Sequence, residues 1–251
     1  MSSITVGAIV FVGVFGAALA AMRLRAALPE HHLSADTKDT VKLAMGLVAT
    51  MTALVLGLLV ASAKGSYDAQ KSAVIQMAAK VAFLDRILAH YGPDASEARA
   101  LLRRGLEGAI VLIWPENKSQ EAQLAPTTTG GDALYEALQS LAPQTEGQRS
   151  LKSQALAIAF DLGQMRWLLF EQGGSSISTP LLVMVVFWIA ILFCSFGLFG
   201  PSNSTAIAAL LVAALSVSGA IFLILELDHP FDGLIRISSQ PMRTVLSHLG
   251  Q

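Results

Sequence analysis

The 251 residues carry a formal net charge of −1, only 14% charged side chains and 53% hydrophobic ones, with a mean hydropathy of +0.58. So little charge excludes an ordinary soluble domain, and near-neutrality removes the basic field that nucleic acid would need. The single cysteine, Cys194, excludes an intrachain disulfide.

The first apolar run, Ile4 to Met22, meets the length of about 20 residues that a helix needs to cross a bilayer. Its small-residue end, GAALAA, resembles a cleavage region. The leading Met-Ser-Ser has no cation, however, and the run exceeds a usual signal core. Arg23 and Arg25 follow it rather than precede it. We read an uncleaved spanning helix.

Arg23 to Lys42 is a polar loop broken by Pro29. His31 and His32 are adjacent and do not have the i, i+4 spacing of a helical zinc pair, so they read as surface histidines. Asp36 or Asp39 is expected to cap the next helix.

The second run is Leu43 to Ala63. Gly46, Ala49, Thr50, Ala53, Gly57 and Ala61 recur along it at i+3 and i+4, which places small residues on one face. Such a stripe either lines a pore or packs closely on another helix, and the second use is common in membranes.

Lys64 to Thr179 is the longest polar region. Val74, Met77, Ala78, Val81, Leu84, Leu88 and Tyr91 predict an amphipathic helix over Ser66 to Tyr91, which can continue the second span. Within it, Asp85-Arg86 reads as a solvated or inter-helix polar contact. Gly92-Pro93 breaks the helix. Asp94 reads as the next N-cap, with Glu97 completing a capping box, and that helix runs to about Ile113, before Pro115. Glu116 to Gly131 reads as a loop, Asp132 to Leu141 as a short helix and Thr145 to Gln172 as a long one. The two long amphipathic helices are expected to pack together, since neither leaves its apolar stripe in water.

From Gln172 through Leu225 there is no charge. Pro180 to Phe199 and Thr205 to Leu225 form the third and fourth runs, joined by a tight turn at Gly200-Pro201-Ser202-Asn203. Three carboxylates, Glu226, Asp228 and Asp232, then stand beside His229. They are weak candidates for a cation such as calcium, whose shell needs about six to eight oxygens. A solvated polar collar is the reading we favour. The tail from Phe231 to Leu249 is expected to form two short amphipathic helices lying on the membrane or on the polar bundle.

The expected fold is all-α. Four transmembrane helices, two plus two, flank a polar helical bundle. The segments are 1–63 (first membrane pair), 64–179 (polar helices), 180–225 (second membrane pair) and 226–251 (amphipathic tail). Apart from the Cys194 thiol, the spans hold no ionisable side chain, which argues against proton coupling and leaves a passive pore open. G-x-S-x-G, Walker A, H-E-x-x-H and C-x-x-C are all absent. We therefore expect neither enzymatic activity nor a cofactor.

Three segments carry a family resemblance: DTKDTVKLAMGLVATMTALVLGLLVASAKGSYD from Asp36, LDRILAHYGP from Leu84, and ELDHPFDGLIRIS from Glu226. Together they resemble the bestrophin-like domain family of bacterial membrane proteins, over nearly the whole chain. Bestrophins proper are pentameric anion channels with the second span lining the pore and an acidic calcium clasp after the fourth. The resemblance implies a homo-oligomer in the bacterial inner membrane, with the lipid bilayer and anions as partners and the polar region and both termini in the cytoplasm. A non-transporting sensor or scaffold acting through the polar bundle is the alternative.

Overall fold

The computed structural model describes residues 2–29, 34–115, 122–125, 128–174 and 177–250. The protein is 83% helical and has no strand among the described residues. The helices are α1 (Ser3–Arg25), α2 (Ala35–Tyr91), α3 (Ser96–Ile113), α4 (Thr128–Ser140), α5 (Glu146–Gln172), α6 (Thr179–Phe199), α7 (Ser204–Asp228) and α8 (Gln240–His248). Four of them, α1, α2, α6 and α7, are long and apolar enough to cross a membrane. The apolar stretch of α2 is Leu43–Ala63, and the helix continues unbroken to Tyr91.

The chain divides into two units, residues 1–66 with 175–228 and residues 67–174 with 229–251. The first is the membrane unit. In it α1 packs on α6 and α7, and the core gathers Val10, Val14, Leu59, Val185, Ile189, Phe193 and Ile221. Gly197 of α6 allows the closest approach. A Cβ there would overlap the carbonyl oxygen of Ala18, so only glycine admits the α1 backbone. The helix ends are satisfied locally. Ser2 Oγ accepts from Thr5 N at 3.3 Å, Asn203 Oδ1 accepts from Ala206 N at 2.8 Å, and an Arg25 guanidinium N–H donates to the Gly200 carbonyl.

The second unit is the polar bundle. Its core runs through Val74, Leu84 and Leu88 of α2, Leu102 and Ile110 of α3, Leu138 of α4 and Leu169 of α5. The two long amphipathic helices do meet here: Lys80 Nζ pairs with Asp161 at 2.7 Å, and Gln148 Nε2 donates to the Tyr91 carbonyl at 3.1 Å. Thr145 caps α5 through Gln148 N at 3.1 Å. Lys152 Nζ donates to the carbonyls of Gln139 and Leu141, at 2.6 and 2.8 Å, at the C-terminal end of α4. These are acceptors that a helix end leaves open.

Four local expectations change. The second span starts earlier, because Ser34 Oγ accepts from Thr37 N; Asp36 falls within the first turn and Asp39 pairs with Lys42. Asp94 caps nothing: Gly92 adopts φ 115° and Pro93–Ala95 forms a 3-10 turn, so α3 begins at Ser96 without a side-chain cap. The short helix starts at Thr128 rather than Asp132. Among the described residues the tail has one helix, not two, because residues 229–237 close on themselves through Asp232 N to His229 O (3.1 Å) and Ile237 N to Pro230 O (2.7 Å), with Gly233 at φ 85°. His31, His32 and residues 116–121 and 126–127 of the expected loop lie outside the described residues.

Candidate pore helix and exit collar

The face of α2 that turns inward in the membrane unit is apolar with one hydroxyl. Leu59 and Ala63 are buried, and Thr52, also buried, returns its Oγ1 to the Val48 carbonyl at 2.7 Å. The small-residue stripe lies elsewhere on the helix. Gly46, Thr50, Ala53, Gly57 and Ala61 are exposed and Ala49 is half-buried. Among the described residues nothing comes within 4 Å of a Cβ placed on Gly46 or Gly57. Thr50 Oγ1 donates to the Gly46 carbonyl at 2.9 Å, so the hydroxyl keeps acceptor capacity on this face. Exposed Leu47, Met51, Leu54 and Leu58 flank the stripe.

The three carboxylates of the collar do not share one environment. Glu226 and Asp228 end α7 and are each only 3% exposed. Both take part in polar interactions within the protein, so for these two the solvated collar does not hold. Buried charges need partners. Asp232 Oδ1 is half-buried and accepts from Ala122 N at 3.2 Å. Among the described residues no group of three or more His, Cys, Asp or Glu side chains is arranged to hold a metal ion.

Two polar features carry the bundle beyond what its periodicity predicts. Asp85 receives Arg99 in a bidentate pair, and this bond, ahead of the charge attraction, raises the Arg99 pKa against the cost of burial. The signal was in the sequence: Asp85 and Arg99 both fall within apolar stripes, next to Leu84 and Ala98, where a charge requires a partner. At the far end of α3, Trp114 Nε1 donates to the Ile237 carbonyl at 2.8 Å, and its ring meets Phe231 edge-on at 5.8 Å. No spacing in the sequence announces that contact. Arg166 of α5 donates to the Gln123 carbonyl at a long 3.5 Å, and burial lowers its pKa.

The architecture defines a multi-pass α-helical membrane protein with a helical extramembrane bundle. A family model described as Bestrophin-like domain matches residues 12–242, and the chain belongs to that family. Among curated proteins and solved structures, nothing matches the chain.

Proposed function

We propose that the protein is an oligomeric anion channel of the bacterial inner membrane, with the second span lining the path. One observation carries the reading: the small-residue face of α2, from Gly46 to Ala61, is turned away from the chain's own helices. Membrane helices associate through small side chains that let backbones approach. Copies gathered around that face would leave an axis bordered by hydrogen atoms, methyl groups and the Thr50 hydroxyl. A passive pathway of this kind needs no titratable side chain, and the span has none. The preference for anions comes from the family alone. Four crossings would put both termini and the 64–179 region on one side, and the same likeness favours the cytoplasm. No enzymatic step enters this reading.

The test is purified full-length protein reconstituted in chloride-loaded liposomes, with its mass measured in detergent. Chloride efflux from an oligomer supports the channel, and loss of efflux in Gly57→Leu assigns the path to α2. A monodisperse oligomer without flux of any ion would reject conduction and leave the scaffold role.

A further inference from the structure

We propose that the membrane unit holds an anionic phospholipid in a cleft between α1, α2 and α6, with an acyl chain inside it and the headgroup at the cation-rich rim. The cleft has a volume of about 670 Å³ and is lined by residues including Ala20, Leu24, Val41, Met45, Cys194 and Leu198. Apart from the Cys194 thiol, the Ser195 hydroxyl and the Met45 thioether its side-chain lining is hydrocarbon, so it suits an acyl chain and offers almost nothing to a polar solute. Its walls are helices that cross the bilayer, where lipid is the available solvent.

The charge at one end selects among lipids. Arg25 lies one turn beyond the lining residue Ala21, and Lys38 one turn before Val41, so helical register continues both walls into cations. Arg25 is held there by its bond to the carbonyl of Gly200, next to the lining residue Phe199. Arg23 and Lys42 lie at the same helix ends, and the α6–α7 turn adds no charge. The opposing carboxylates are Asp36 and Asp39, the latter engaged by Lys42 at 3.3 Å, so four cations stand against two acids among the described residues. Basic pockets between spanning helices recognise anionic headgroups. This site does not depend on conduction and can stand or fall separately from it.

The experiment is native mass spectrometry of the detergent-purified full chain titrated with dioleoyl phosphatidylglycerol or dioleoyl phosphatidylcholine. The wild type is expected to retain the anionic lipid about tenfold more tightly. Ala20→Phe fills the cleft from an exposed wall position and is expected to abolish retention of both lipids. Lys38→Gln is expected to keep binding but lose the headgroup preference. If Ala20→Phe does not fold, Met45→Trp fills the cleft from the opposite wall. Equal retention of the two lipids by the wild type, or undiminished phosphatidylglycerol binding in the folded cleft-filling variant, overturns the proposal.

Discussion

The Asp85 carboxylate holds Arg99 by two bonds, from Nε at 2.8 Å and from Nη2 at 2.9 Å, and so joins α2 to α3 within the bundle core. The two side chains are 11% and 24% exposed, so water screens the pair poorly. Removing one partner leaves a charge in a mostly desolvated place. Asp85→Ala is expected to cost about 3 kcal/mol, whereas Asp85→Asn keeps an acceptor and costs less. In thermal unfolding the double variant Asp85→Ala/Arg99→Ala should lose less than the sum of the singles. Additive losses would mean that the pair is not a coupled unit.

Tyr91 gives the bundle an alkaline limit. It is 2% exposed, and its hydroxyl has no hydrogen-bond partner among the described residues. Burial, and secondarily the negative Asp94, raise its pKa above the ordinary 10.0. The folded state therefore prefers the neutral phenol. That preference is fully present below pH 10.0 and is lost as pH rises through the higher folded value. Tyr91→Phe is expected to change stability little at pH 7 and to shrink the fall above pH 10.0. Melting curves of both proteins across the alkaline range read the difference. A parallel fall in the two would place the limit on other groups.

Two glycines in the membrane unit should respond oppositely. Gly197→Ala drives a methyl into the Ala18 backbone, and backbone cannot rotate away as a side chain does. We expect loss of the α1–α6 packing and poor recovery of folded protein. Gly57→Leu adds bulk where, among the described residues and its own helix backbone aside, nothing lies within 4 Å of a Cβ. It should leave the single chain folded and disturb assembly or flux, more than Leu58→Ala does. Mass in detergent and circular dichroism separate the two effects. Equal tolerance of Gly57→Leu and Leu58→Ala would leave the stripe facing lipid.

The spans were readable because hydrocarbon imposes one rule over about 20 residues, and the long stripes of α2 and α5 were readable because helical periodicity accumulates over many turns. Errors gathered where a single residue decides. Asp94 has the composition of a cap, but Pro93 beside it starts a 3-10 turn, and Ser34 reaches its backbone donor before Asp36 can. The tail pattern fits an amphipathic helix, yet Gly233 and the Ile237–Pro230 bond fold those residues into turns. Exposure of the α2 stripe was beyond periodicity altogether, since periodicity defines a face without saying what covers it.

The exit segment gives the last test. Asp232 accepts the Ala122 N–H, and Trp114 holds the Ile237 carbonyl, so the tail is fixed by protein donors. If that is the role of Asp232, its effect should not depend on calcium. Asp232→Ala is expected to lower stability by about 1 kcal/mol, equally with millimolar calcium and with chelator. Asp232→Asn retains an acceptor oxygen and should stay near wild type. Trp114→Phe should cost about the same as Asp232→Ala and expose residues 229–250 to protease. Calcium titration of thermal stability, on the wild type and on Asp228→Asn/Asp232→Asn, provides the contrary outcome. A calcium-dependent rise in the wild type that the double variant lacks would mean that the carboxylates bind the cation with help from another segment. We expect a flat titration for both proteins, because three side chains underfill a calcium shell of about six to eight oxygens.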